Sequence, residues 1–420
     1  MPKKILWAAV IACVFLLPFF SSDVFRAQTY FLYALLTVSL FGIAVMNRSW
    51  LKNRAIILPL SLWLFIVFFT SLYALYAPGA FTAFCHMLVF VIIFMASSGL
   101  EDKRKRQLAF TLVVGSILVS VRAILQYFIF FDKIVPLMQA RWTGLSEKEI
   151  LYITDIALRH RTISTFVTSN LLASYLSMVN IIAMLFCVID ENKLFRVVSL
   201  FALALNCYSL WLTRSAAALA SLAIGIFLMS LFLSAKRQPR AARLKKIFTI
   251  FCVGASTAFV CLFINRAAHD MGTDRLFLSL TGRLEFWKTA IRIVSDQPLQ
   301  FVGLGGFGFL YRLYAPYAQF ESTMAHNLFL QLWIETGIVA TLVFVWFIWA
   351  IIWSGIKGLN RLLPDLDNYA FKAACLCAAA VFLIHNMLDF SFFVPQTAVI
   401  FWLLCSFFTS NDNNGKGIGP

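Results

Sequence analysis

An all-α polytopic membrane protein is the fold class this sequence predicts, with about twelve transmembrane helices. Three observations predict it. Of the 420 residues, 61% are hydrophobic and only 13% are charged, more apolar surface than a water-soluble domain can bury inside itself. The apolar residues come in unbroken runs of helix length rather than short alternating stretches, which excludes a barrel, because only helices and closed barrels satisfy the backbone in lipid. The basic residues, which bring the formal charge to +16, gather in the short segments between those runs.

The first run, 5–20, follows Lys3 and Lys4 and has the basic start of a signal peptide. No small-residue cleavage site follows and a second run comes almost at once, so it reads as an uncleaved first helix. Further spans fall at 29–46, 55–77, 80–99, 108–131, 166–189, 197–213, 214–234, 247–265, 327–354, 370–388 and 391–408. With the N-terminus inside, the inner loops carry Arg48, Lys52 and Arg54, then Lys103, Arg104, Lys105 and Arg106, then Lys193 and Arg196, then the cluster from Lys236 to Lys246, then Lys357 and Arg361. Every strongly basic short loop lands on one side, as the positive-inside rule requires. The positive charge is therefore read as topology and attraction to anionic headgroups, with both termini cytoplasmic and no nucleic-acid partner. The chain reads as one integral membrane domain, 1–420, ending in a disordered cytoplasmic tail, 409–420.

The same register leaves two longer segments outside. The first, 132–165, holds Ser146 and Glu149 at capping-box spacing, then Ile150, Leu151, Ile153 and Ile156, the pattern of a short amphipathic helix on the interface. The second, 266–326, is the longest polar interruption in the chain and interleaves charge with Phe286, Trp287, Phe307, Phe309, Tyr311, Tyr314 and Tyr317. Both are expected to dip back toward the lipid surface. The nine cysteines all lie in apolar runs, and Cys375 and Cys377 stand two apart; this is neither a disulfide framework nor a zinc pattern, and they read as packing residues.

The polar residues on the outer side carry what chemistry there is. Arg214 turns the chain between two apolar runs, and is either an interfacial arginine snorkelling to headgroups or an anion clamp whose planar fork matches phosphate oxygens. Arg283, in Thr281-Gly282-Arg283-Leu284-Glu285, would by itself be a solvated loop charge; beside Arg214 it becomes a second cation for a diphosphate. Gly303, Gly305 and Gly308 fit G-x-G-x-x-G, but no βαβ unit surrounds them, so they read as a tight turn, with a phosphate nest as the alternative. His326 opens the next helix. It is either a helix-start residue bonded to backbone and headgroups or a base, since a neutral imidazole near its ordinary pKa accepts a proton. Glu335 lies roughly 13 Å deeper along the same helix and should face the protein interior, paired with an arginine. Arg122, a second intramembrane charge, is a clamp member, a partner for Glu335 or part of a structural ion pair. His385 and Asp389 are spaced to touch across one helical turn, read as helix-end pairing. Asp365-Leu366-Asp367 imitates a metal-binding D-x-D but falls on the inner side, away from the arginines, so neither a divalent metal nor any other cofactor is expected.

Taken together, the Thr213-Arg214-Ser215-Ala216 turn, Gly282-Arg283-Leu284-Glu285-Phe286-Trp287 with the glycines after it, and Ala325-His326-Asn327 running into Glu335-Thr336-Gly337 resemble the bacterial O-antigen ligase and Wzy polymerase superfamily. Arg161, Thr165-Phe166, Asn170, Ala173 and Tyr175 resemble its R-x-x-G-T-F-x-x-P-N-x-x-A-x-Y pattern, with Ser164 where glycine is usual and Ser169 where proline is. The resemblance implies a GT-C-like, metal-independent, inverting glycosyltransferase of the inner membrane with its site facing the periplasm. Its donor would be a glycan on undecaprenyl diphosphate, and its partners lipid A-core oligosaccharide and membrane lipids. It implies that Arg214 and Arg283 bind the diphosphate, that His326 is the base or orients the acceptor hydroxyl, and that Arg161 is a further anion contact. From their intramembrane position rather than from the resemblance, Arg122 and Glu335 are further candidate substrate-binding residues. Chain length favours a ligase over the protein-modifying branch of the superfamily, and the closeness of the His326 and arginine motifs favours a ligase over a Wzy-type polymerase. A transporter of solutes or lipid-linked glycans is the reading from a different class, and would call for related halves and helices broken at mid-membrane.

Overall fold

Runs of Leu, Ile, Val and Phe with no water to bond their backbone must satisfy every amide internally, and the chain does so as helix. The computed structural model describes residues 2–20, 26–134, 161–190, 192–234, 246–247, 249–250, 253–254, 257, 275–317, 322–362 and 365–409, and among them there is no strand. The helices are α1 (Pro2–Leu16), α2 (Arg26–Asn47), α3 (Arg54–Leu72), α4 (Ala77–Ser98), α5 (Asp102–Leu125), α6 (Ser169–Ile189), α7 (Lys193–Leu212), α8 (Ala216–Ser234), α9 (Arg275–Asp296), α10 (Phe307–Tyr314), α11 (Leu328–Arg361), α12 (Leu366–His385) and α13 (Pro395–Phe408). Ten helices among the described residues are long and apolar enough to cross a membrane, and α13 is a shorter apolar helix. The span expected at 247–265 lies largely outside the described residues, as do the interfacial helix expected at 146–156 and nearly all of the tail at 409–420.

α6 and α13 form the centre. Every residue of α13 is buried, and α6 is nearly as enclosed, which is why both are apolar on all faces rather than on one stripe. Polar residues inside this core find one another: Asn206 of α7 hydrogen-bonds the hydroxyls of Ser116 and Ser120 on α5 at 2.9 and 2.8 Å. In hydrocarbon each such bond contributes about 0.6 kcal/mol and fixes helix register.

The bundle has two chemically distinct ends. At one end Lys3 bonds Asn47, Asn53 bonds Ser354, Arg106 bonds Asn368 and Lys372 pairs with Asp102 at 3.3 Å. The inner-loop basic residues that are described belong to this end. At the other end Thr165 bonds the Pro18 carbonyl, Arg161 the Thr213 carbonyl and Arg122 the Ser164 carbonyl, while the Leu75 amide donates to Val302. The alternation expected from charge is thus present in the packing, with Arg122, Arg161, Arg214, Arg283 and His326 together at the second end.

The segment read from sequence as a loop, 266–326, contains two helices where described, α9 and α10. α9 presents Phe286, Ala290, Ile293 and Val294 to one side, and these close on Val302, Phe307, Leu310, Tyr311, Ala325 and Ile334 as a second, smaller hydrophobic core. The spacing i, i+4, i+7, i+8 is that of an amphipathic helix, masked in the sequence by the charges between. α11 is broken at Gly337, whose φ of 84° and ψ of 163° are not helical. The break divides a first segment, shared between the two cores, from the long membrane span that follows.

Candidate functional site

His326 is held by its neighbours. The Ala325 amide donates to Gln331 Oε1. Asn327 caps α11, its Oδ1 accepting from the Phe329 and Leu330 amides at 3.0 and 3.1 Å, while its Nδ2 donates to the Met387 carbonyl at 3.1 Å. Between these anchors His326 takes φ 51°, a left-handed conformation that a residue with a Cβ adopts at a cost of about 1–2 kcal/mol. The turn after α12 is clamped to the same place, since the Leu328 amide donates to the Asn386 carbonyl and Asn386 Oδ1 accepts from Phe392.

This double anchoring brings an imidazole to a buried carboxylate. His326 Nδ1 lies 3.8 Å from Asp389 Oδ1, with His326 21% exposed and Asp389 1%. The other carboxylate oxygen accepts from the Ser391 hydroxyl and lies 3.6 Å from His385 Nδ1. Phe286 stacks against the His326 ring at 5.5 Å and Phe390 meets it edge-on at 5.0 Å. Burial alone would raise the Asp389 pKa; the interaction with His326, the field of His385 and the Ser391 hydroxyl outweigh it and bring it down to about 2. Asp389 is therefore an anion at neutral pH, and it faces a ring that is partly open to solvent.

Arg283, one helical turn before Phe286, is half-buried at the same place. Burial lowers its pKa while the Asp389 carboxylate opposes that shift; an arginine remains charged across any accessible pH. Arg214 stands on the turn between α7 and α8, exposed and again left-handed, φ 50°. Arg161 braces that turn from below, Nε donating to Thr213 O at 2.8 Å and Nη2 to Asn170 Oδ1 at 2.9 Å. The turn reaches the His326 side through the 161–168 segment, whose Thr165 carbonyl accepts from Gln396 Nε2 at 3.5 Å near the start of α13.

Several expectations need correction. Arg122, read as a clamp member or an ion-pair partner, is exposed on the last turns of α5, and its Nε donates to the Ser164 carbonyl at 3.4 Å. Glu335 is 1% exposed and pairs with no arginine among the described residues: its Oε1 accepts from Gln331 Nε2 at 2.7 Å and from the Phe307 amide at 3.2 Å, with the Gly305 amide also bonded. The glycine-rich turn thus cradles this carboxylate, the anion that a phosphate would otherwise represent. The Glu335 carbonyl accepts from the Gly303 amide at 2.9 Å and the Ile334 carbonyl from Val302 at 3.3 Å, so the groups freed by the Gly337 break are satisfied by protein. A broken helix was the mark expected of a transporter, and here the break serves the turn. On the opposite end Asp365 caps α12, accepting from the Asn368 amide at 3.1 Å, which holds its pKa below the ordinary carboxylate value; half of the D-x-D is a helix cap. Ser164 has φ 53°, which explains why glycine is usual at this position in the pattern the segment resembles.

Sequence reasoning did not bring Asp389 to His326. The i, i+4 spacing with His385 was visible, but the cross-contact arises only from the meeting of α11 and the turn after α12.

An all-helical membrane protein with cations and a carboxylate-backed imidazole at the end away from its basic loops is the class defined so far. Residues 200–345 match the model of the family described as Wzy_C, O-antigen ligase. The match supports an O-antigen ligase-type protein within the ligase and polymerase superfamily, with glycosyltransferase-like activity. It takes in Arg214, Arg283, His326 and Glu335, and leaves Arg122, Arg161 and Asp389 outside. No curated protein matches the chain.

Proposed function

We propose that this protein transfers an O-antigen glycan from undecaprenyl diphosphate to lipid A-core oligosaccharide at the periplasmic face of the bacterial inner membrane, with inversion at the transferred sugar and without a metal. The observation that carries the reading is His326 against the buried Asp389 carboxylate, with Arg283 in the same electrostatic neighbourhood. The separation of these residues from the basic end supports a periplasmic site, because basic loops remain cytoplasmic.

In the reaction the acceptor hydroxyl oxygen bonds to the anomeric carbon as the bond from that carbon to the phosphate oxygen breaks. The electron pair leaves with the diphosphate, and the hydroxyl proton passes to His326. Asp389 stabilises the imidazolium that forms and orients the ring, and Arg283 and Arg214 stabilise the departing diphosphate. Each charge-assisted bond is worth about 1.5–3 kcal/mol. Two guanidinium groups supply the charge neutralisation that a magnesium ion gives elsewhere. Arg161 acts by bracing the Arg214 turn, and Glu335 by holding the glycine turn closed.

The test incubates purified protein with a lipid-linked glycan and either core lipid or a second lipid-linked unit. Glycosylated core lipid is expected. A longer lipid-linked chain would make the protein a polymerase, and vectorial movement without a new glycosidic bond would make it a transporter.

A further inference from the structure

His385 is the last residue of α12, 1% exposed, and neither ring nitrogen has a hydrogen-bond partner among the described residues. An imidazole enclosed in this way gives up water at both nitrogens, a cost that a leucine of similar size would not carry. Its backbone is fixed without it: the Leu388 amide donates to the His385 carbonyl at 3.0 Å, and Asn386 ties the turn to α11. What the ring adds is its approach to Asp389 Oδ2, 3.6 Å from Nδ1, on the oxygen that also accepts from Ser391. The opposite oxygen, Oδ1, is the one that faces His326.

We propose that His385 is a positioning residue: with Ser391 it brackets one oxygen of Asp389, stops the carboxylate from turning, and so keeps the other oxygen on His326. A carboxylate held by Ser391 alone can swing about its last torsion, because a single hydroxyl rotates with it. The Ser391 hydroxyl on that oxygen with the buried His385 ring packed beside it removes that freedom. The His326 ring then meets a fixed acceptor, as bases in other sites are oriented by a third group. Among the described residues the charged and titratable groups facing this point are Asp389 beside His385, Arg283 from α9 and His326 from the start of α11. The His385 ring lies against Oδ2, and its loss leaves Oδ1 free to turn away from His326. The kinetic consequences rest on the glycosyl-transfer reading; the geometry does not.

The experiment therefore has a readout that does not depend on turnover. Diethyl pyrocarbonate modifies accessible neutral imidazole, and His326 at 21% exposure is open to it where His385 at 1% is closed. The rate at His326, followed by peptide mass spectrometry across pH, reports when that ring loses its proton. In His385→Leu the half-point is expected to move to lower pH by about 0.5 or more, because Oδ1 is then free to turn away from the ring, and His385→Gln, whose amide can reach Oδ2, is expected to restore it. In the transfer assay the same Leu variant should lower kcat about tenfold with the donor KM little changed, and move the acid limb of the kcat profile the same way. If the Leu variant does not accumulate folded, His385→Asn replaces it, since its shorter amide falls away from Oδ2. An unmoved His326 profile, or equal behaviour of Gln and Leu, overturns the proposal. A moved profile in a protein that transfers no glycan upholds the positioning and removes the function.

Discussion

Replacing Glu335 with Gln separates a residue that touches substrate from one that shapes the site. The side chains are of equal size, so packing is unchanged and only hydrogen bonding differs. In the native protein the carboxylate accepts from Gln331 at 2.7 Å, from the Phe307 amide at 3.2 Å and from the Gly305 amide. An amide offers one oxygen, so at least one of these donors loses a charged acceptor, and the new NH2 has no acceptor in the turn. Changing charge-assisted bonds of about 1.5–3 kcal/mol into neutral ones of about 0.5–1.5, with one buried donor orphaned, should cost about 3 kcal/mol. Relief from burying a charge returns part of this, so a net loss of about 2 kcal/mol is expected. Thermal unfolding in detergent should show a lower midpoint, while the folded fraction binds a lipid-diphosphate donor within about twofold of the native affinity, under 0.5 kcal/mol. Unchanged stability with donor affinity lost would refute the clasp and return Glu335 to the substrate.

Three further outcomes are expected. Gly303→Ala should destabilise by about 2–4 kcal/mol, because a Cβ at φ 85° is strained and would stand 2.1 Å from the Ala74 methyl; a chemical denaturation series checks it. Arg283→Ala should abolish transfer with expression intact, and Arg283→Lys should rescue poorly because a point charge lacks the planar fork; near-native activity of either in the glycan assay would remove Arg283 from the clamp. Asp389 has its pKa depressed to about 2, so its stabilisation is fully present above its unfolded value near 4 and is lost as pH falls through about 2. The native protein should lose about 2.5 kcal/mol more than Asp389→Asn between about pH 5 and pH 1, measured by unfolding midpoints across that range.

The membrane fold was readable because the solvent dictates it: an apolar run in lipid has one way to satisfy its backbone. The ends of the bundle were readable for the same reason, since loop charge reports them. Arg214, Arg283 and His326 stood out as polar residues with no topological duty. What the sequence withheld depended on contacts between distant helices. Glu335 looked like a buried ion needing a cation, and only the fold brings the Gly305 and Phe307 amides to its carboxylate. Asp389 looked like the partner of His385 alone, until the turn after α12 meets the start of α11. The helicity of α9 was present as Phe286, Ala290, Ile293 and Val294, but Arg283, Glu285, Lys288 and Arg292 between them gave the segment the composition of a loop.

Arg214 and His326 both occupy a backbone conformation that glycine or asparagine would adopt with less strain. Two of the side chains proposed for the chemistry thus stand where the molecule has most to gain by giving them up. Directed evolution under heat alone would favour variants that endure longer and do nothing, so any search for a hardier version of this protein must select for turnover in every round.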